Sequence, residues 1–209
     1  MKPTLAQLIA QKEGTTVEFK RTVHDASKIA RTIAAFANTA GGYLVVGVED
    51  DKKIVGVGSQ LTEVTKVVHA SEELIDPPLA VSYRAERTDG KQVLVFRVNE
   101  SDQKPHKVLN HAGVLEVYIR AKDKTVPASK RMANFLVAKT EADQALLMQA
   151  PIKNLLQYLQ KNERITADKY AKLVNISVYR AQKLLQQLVS QGVLLLLDKQ
   201  QPKAFCLKK

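Results

Sequence analysis

The amino-acid sequence predicts an α+β protein in two parts: a mixed-sheet domain, then a small unit of three helices closed by a hairpin. Three observations predict it. Over residues 1–126 apolar side chains recur with period two in some stretches and at helical spacing in others, the mixture expected where helices and strands share one core. After Pro151 the pattern changes to three short helical stripes in succession. Charge divides at the same place. The 209 residues carry 32 Lys and Arg against 21 Asp and Glu, a net +11, and residues 151–209 hold 11 basic and 3 acidic side chains, +8 of that total. The hydrophobic content, 45%, is that of a chain able to bury cores and excludes wholesale disorder.

Leu5, Leu8 and Ile9 predict a helix over Thr4 to Lys12 that stops near Gly14. Thr15 to Lys20 alternates as a strand, with Val17 and Phe19 on one face and Glu18 and Lys20 on the other. From Asp25 or Ser27, either a suitable N-cap, Ile29, Ala30, Ile33, Ala34, Phe36 and Ala37 form a stripe that Asn38-Thr39-Ala40-Gly41-Gly42 terminates. Tyr43 to Val48 is nearly unbroken apolar sequence and reads as a central strand covered on both faces. Glu49 to Lys53 then turns into Ile54-Val55-Gly56-Val57 to complete a hairpin. Leu61, Val64, Val67, Val68, Leu74 and Ile75 mark a helix stopped by Pro77-Pro78. Strands over Ala80–Ala85, Val93–Val98 and Val114–Arg120 complete the domain, with a polar loop from Asn99 to Lys107. A helix from Ala128 to about Gln149 forms the link. The predicted boundaries are therefore 1–126, 127–150 and 151–209.

In the last unit Ile152, Leu155, Leu156 and Leu159 give one helix, and Thr166 caps a second that runs through Tyr170, Ala171 and Val174. A third begins at Ser177 after a tight Val174-Asn175-Ile176 turn, carries Val178, Ala181, Leu184, Leu185 and Leu188, and ends at Gly192. Val193 to Leu197 and Ala204 to Leu207 read as a hairpin around Asp198 to Lys203. Three helices with a short turn and a terminal β-wing describe a winged helix-turn-helix. At about 100° per residue, the face opposite the apolar stripe of the third helix presents Tyr179, Arg180, Lys183, Gln186 and Gln187. Arg suits guanine, Gln suits adenine, and Lys and Tyr suit phosphate, while Lys199 and Lys203 in the wing reach the backbone beside them. The predicted partner is nucleic acid, duplex DNA over RNA. The alternative is a scaffold whose winged helix binds protein.

The first domain carries Glu13-x4-Glu18-Phe19-Lys20, then Ile33-x2-Phe36-Ala37-Asn38-Thr39-x-Gly41-Gly42, then Gly47-Val48-Glu49-Asp50, then Gly56-Val57. On these strings it resembles the Schlafen AlbA_2 domain, also called divergent AAA-4, over residues 10–125, and Lys104-Pro105-His106 and Tyr118-Ile119-Arg120 fit the family's second half. The resemblance implies an AlbA_2-type fold. Bacterial members commonly carry a C-terminal helix-turn-helix and look like DNA-binding transcriptional regulators. Vertebrate members similar to this domain include RNA nucleases with three acidic residues, which fall here on Glu13, Glu18 and Asp50, with Asp51 an alternative register. The resemblance thus implies a second activity, a metal-dependent ribonuclease in which these carboxylates hold Mg²⁺ or Mn²⁺ and orient a water. Those nucleases use two such domains in tandem, and here a homodimer would supply the second. Read from the residues alone, Glu18 is a strand-face carboxylate beside Lys20 or Arg21, Asn38 bonds backbone groups at a helix end, and Gly41-Gly42 permits positive φ.

Other chemistries find no support. No G-x-x-x-x-G-K-[ST] cradles a nucleotide, so neither NTP hydrolysis nor a cofactor is expected. His24, His69, His106 and His111 lack metal-binding spacing, although His106 beside Lys104 and Lys107 is a candidate phosphate contact. Cys206 is the sole cysteine, excluding internal disulfides and predicting a reducing cytoplasm. No run of 18 apolar residues suggests a membrane span, and Met1-Lys2-Pro3-Thr4 does not lead into a secretion signal.

Overall fold

The structure, a computed structural model, describes residues 2–11, 13–110, 112–138 and 143–208; His111, Lys12 at the end of the first predicted helix, and residues 139–142 of the predicted linking helix lie outside the described residues. The chain divides into two compact units, Met1–Val126 and Pro127–Lys209.

In the first unit, α1 (Leu5–Ala10) opens on a capping box: Thr4 Oγ1 accepts from the Gln7 N–H and Gln7 Oε1 from the Thr4 N–H, which satisfies donors no helical carbonyl can reach. Strand β1 (Val17–Lys20) leads to α2 (Ala26–Asn38). Of the two candidate caps Asp25 serves, its carboxylate accepting from the Ser27 and Lys28 N–H groups. Strand β2 (Gly42–Val46) runs parallel to β1, as a helical crossover requires. After α3 (Gln60–Glu72) and the short β3 (Ile75–Asp76), β4 (Ser82–Thr88) and β5 (Lys91–Val98) form a hairpin through Asp89 and Gly90, both at positive φ. The sheet order is β1-β2-β5-β4, with β2–β5 and β5–β4 antiparallel, so the sheet is mixed and β2 is internal. Leu44 and Val46 pack with Ile33 and Phe36 of α2 on one face, and Val45 packs with Leu5, Leu8 and Phe19 on the other. Cover on both faces explains the unbroken apolar run.

Several elements differ from the sequence reading. Leu74 and Ile75 lie beyond α3, and Ile75 pairs with Val108 of β6 (Lys107–Leu109). With β7 (Leu115–Ala121) and β8 (Lys124–Pro127) these strands make a second four-stranded sheet, β3-β6-β7-β8. Three of its strands are two to four residues long, too short to show a period. The hairpin predicted over Ile54–Val57 reduces to one bridge, Val48 to Ile54. Gly47 and Gly56 both have positive φ there, the Gly47 Cα lies so close that an added Cβ would stand 3.2 Å from Gly56, and the Val57 N–H turns to the Gln92 carbonyl.

In the second unit, one predicted helix becomes two, α4 (Lys130–Val137) capped by Ser129 and α5 (Gln144–Met148) capped by Asp143. The first belongs to this unit's core rather than to a bare link: Met132 is buried, the Leu196 N–H donates to its sulfur and Ser129 Oγ to Asp198. Then follow α6 (Ala150–Lys161), α7 (Ala167–Val174), α8 (Val178–Ser190) and an antiparallel pair, β9 (Leu194–Leu197) and β10 (Ala204–Leu207). Asn175, at φ 53 and ψ 55, makes the α7–α8 turn, and the Ile176 N–H closes it on the Ala171 carbonyl. Tyr170 is fully buried, its hydroxyl donating to the Pro151 carbonyl at 3.2 Å, and burial pushes its phenol up to about 12. Among the described residues no helix is long and apolar enough to cross a membrane.

Candidate functional site

In the first unit β1 and β2 are neighbours, which puts the three acidic candidates on adjoining segments. Glu13 precedes β1, Glu18 lies within it, and exposed Asp50 follows β2. Burial holds the Glu13 carboxyl above the ordinary carboxylate range; the Phe19 N–H opposes that, the charges of Glu18 and Asp50 add to it, and Lys20 lowers it. Yet Glu13 and Glu18 already have partners. Glu13 Oε1 accepts from the Phe19 N–H at 2.8 Å. Glu18 Oε1 lies 2.7 Å from Lys20 Nζ and Glu18 Oε2 is 2.9 Å from an Arg120 guanidinium nitrogen. Arg120 is 1% exposed, donates also to the Gly14 carbonyl at 2.6 Å and to Thr125 at 3.1 Å, and lies 5.0 Å from the centroid of the Phe36 ring.

A divalent cation on Glu18 would have to displace two protein cations from one carboxylate, one of them buried where a lost partner is costly. Among the described residues no group of three His, Cys, Asp or Glu side chains is arranged to hold a metal. As arranged, the set does not fit Mg²⁺ or Mn²⁺.

The string Ala37-Asn38-Thr39 also turns inward. Asn38 is fully buried, its amide donating to the His106 and Tyr118 carbonyls at 2.8 and 2.9 Å while its oxygen accepts from the His106 N–H at 2.8 Å. Thr39 Oγ1 donates to the Ala35 carbonyl and accepts from the Arg120 N–H. An added Cβ on Gly41 would meet the Val98 carbonyl and the Glu100 nitrogen at 2.8 Å, and one on Gly42 would strike the Phe36 ring at 2.5 Å. His106 is not a phosphate contact. It is 1% exposed, with Nδ1 2.7 Å from the Pro77 carbonyl and Nε2 2.7 Å from Ser101 Oγ; burial holds its imidazole below the ordinary value, against the pull of the Pro77 carbonyl.

In the second unit the polar candidates stay outside. Ala181, Leu185, Leu188 and Val189 bury one side of α8, and Tyr179, at 77% exposure, Arg180, Lys183 and Gln187 are exposed on the rest, with Gln186 half-buried. Gln182 is exposed beside them and was not picked out by the sequence pattern. Lys199 and Lys203 are exposed in the β9–β10 loop, where an Arg164 guanidinium nitrogen donates to Gln200 at 3.0 Å. The backbone of Ile165 exchanges two hydrogen bonds with Phe205 of β10.

A family model described as Schlafen, AlbA_2 matches residues 13–129, more than half of the sequence. The chain belongs to the Schlafen AlbA_2 family. No curated protein matches this AlbA_2 chain. Among solved structures, the N-terminal domain of a RecG-related protein from Nitrosomonas europaea is 26% identical with a TM-score of 0.47, covering 56% of this chain and 84% of that one. The DIP2311 protein from Corynebacterium diphtheriae is 20% identical with a TM-score of 0.44, over 86% of this chain and 33% of that one.

Within the AlbA_2 unit, sequence reasoning missed the part Arg120 plays. It lies in an alternating strand where a charged side chain reads as surface, and only the convergence of β1, α2 and β7 makes it interior. The available signal was that Tyr118, Ile119 and Arg120 closed the string of family residues.

Proposed function

We propose that this AlbA_2 chain is a DNA-binding transcriptional regulator that holds duplex DNA through a winged helix-turn-helix in residues 151–209. In this reading α8 enters the major groove, the β9–β10 loop is the wing on the adjacent backbone, and a homodimer spaces two such helices on two half-sites. The observation that carries it is the order α6, the Ile165 bridge, α7, α8 and the β9–β10 hairpin, with Tyr179, Arg180, Lys183 and Gln187 left exposed along α8. The +8 charge of the same residues supplies the attraction to phosphate.

Duplex binding by the full chain, followed as salt rises, tests it. The logarithm of affinity should fall linearly with the logarithm of salt, by about 0.9 per phosphate contact, and the pair Arg180→Ala with Lys183→Ala should remove most of the binding. Unchanged affinity in that double variant would reassign the face, and Leu173, Val178 and Tyr179, all exposed, are what a protein partner would then cover. The metal-dependent ribonuclease is the second reading, and what favours it is the parallel pairing of β1 with β2, which sets Glu13 and Glu18 on the segment beside the one that leads to Asp50. The Arg120 and Lys20 pairs on Glu18 oppose it, and RNA cleavage by the full chain with and without Mn²⁺ decides it.

A further inference from the structure

One cleft in the first unit is used by neither reading. It lies where β1 and β2 begin, at the opposite end of β2 from Asp50, and is lined by Thr16, the turn from Ala40 to Tyr43, and Arg97 to Glu100. Its volume is about 230 Å³, below the roughly 300 Å³ at which pockets for drug-sized ligands begin. That space suits a small charged group with its immediate substituent.

Val93, Val95 and Arg97 alternate along β5 on the face that α1 covers; the two valines are buried and Arg97 is exposed beyond that cover. Tyr43 is its direct neighbour across the β2–β5 ladder and packs its ring on the same core. No ion pair among the described residues includes Arg97. Glu100, the one carboxylate of the lining, is paired with Lys104. The C-terminal end of α2 borders the cleft and would repel an anion if its carbonyls were bare. Three of them are taken: Ala35 by Thr39 Oγ1, Phe36 by the Thr39 and Gly41 N–H groups, and Ala37 by the Ser101 N–H. What remains is an uncompensated guanidinium, whose planar fork matches two phosphate oxygens, between a tyrosine and a threonine that can add hydroxyl donors.

We propose that this cleft binds a phosphate group, of a free nucleotide or of a nucleic-acid strand, on Arg97 with Thr16 and Tyr43 flanking it. Every residue that lines the site belongs to the first unit. The test uses the full chain in three titrations: inorganic phosphate and AMP, each followed by nuclear magnetic resonance of the Arg97, Tyr43 and Thr16 signals, and a labelled single-stranded oligonucleotide followed by anisotropy. Phosphate or AMP should shift those three signals saturably, and Arg97→Gln should weaken the binding about tenfold or more. Arg97→Lys should keep part of it, and both variants should keep the thermal midpoint and the duplex affinity that depends on Arg180. Competition by the oligonucleotide assigns the phosphate to a strand; binding of AMP without such competition assigns it to a free nucleotide. Signals that do not move with either phosphate probe, or an Arg97→Gln protein that binds as the parent does, overturn the proposal.

Discussion

The two units use their polar side chains in opposite ways. In the first, the residues that make the sequence recognisable are spent internally: Asn38 joins α2 to the Tyr118 and His106 backbones, Thr39 holds Arg120, and Arg120 holds Glu18. In the second, the residues with the most evident recognition chemistry, Tyr179, Arg180, Lys183 and Gln187, stay exposed on a helix whose other side is core. A recognisable string and an exposed polar surface are therefore different things. The family string marks where a buried polar frame must close, because each of its donors and acceptors would be costly if left unpaired. The exposed side chains of α8 are left to water instead.

The sharpest way to break this contrast is at Arg120. Arg120→Met leaves the Glu18 carboxylate and the Gly14 carbonyl without that partner, and removing one member of a buried ion pair costs about 3–5 kcal/mol. Urea unfolding should show that loss, and the double variant Arg120→Met with Glu18→Gln should recover part of it, because the stranded charge goes too. A loss below about 1 kcal/mol, typical of an exposed pair, would mean that the frame is a surface feature after all. Asn38→Ala comes next. It strips partners from two carbonyls and one N–H inside the protein, so a cost of about 3 kcal/mol is expected. Neither change should alter duplex DNA affinity when the variants are compared well below their unfolding midpoints.

The third prediction sharpens the other side. Arg180→Ala should lower duplex affinity by about 1–3 kcal/mol and relax preference at one base pair, whereas Lys203→Ala should weaken all sequences alike. Denaturation midpoints should barely move, since exposed side chains away from caps and cores contribute little. Binding arrays of single-base variants measure the first effect, and scanning calorimetry the second.

How much was legible in the sequence follows the same division. The helical stripes of α2, α7 and α8 were visible because packing against a core imposes its period on the chain, and the polar face of α8 followed from it except at Gln182, which was missed, and Gln186, which is half-buried. Asn38 was read as a bonder of backbone groups, but its targets lie 68 and 80 residues away and no local rule reaches them. Strands β3, β6 and β8 carry too few residues for alternation to register, so the second sheet went unseen. Arg120 was hidden for a related reason: burial of a charge depends on a partner brought from another strand, and Glu18 is 102 residues earlier.

The smallest effect expected concerns His106, and it tests the buried frame without altering a charge at neutral pH. Nδ1 faces the Pro77 carbonyl, which can only accept, so Nδ1 carries the proton; Ser101 Oγ, which accepts from the Gln103 N–H, gives its own hydrogen to Nε2. The neutral ring is thus fully bonded, and a second proton would put a charge where burial opposes it. Because the folded-state value is depressed, the unfolded chain binds the proton first as pH falls below the ordinary 6.5, and stability present above that pH is lost progressively as acidity rises through the folded-state value. His106→Gln keeps one donor and one acceptor but does not titrate. The difference in unfolding free energy between parent and variant should therefore be constant above pH 6.5 and shrink below it, as only the parent is penalised by protonation. A difference that stays flat down to pH 5 would show that the ring is open to water when charged, and that the frame around Asn38 is looser than its hydrogen bonds imply.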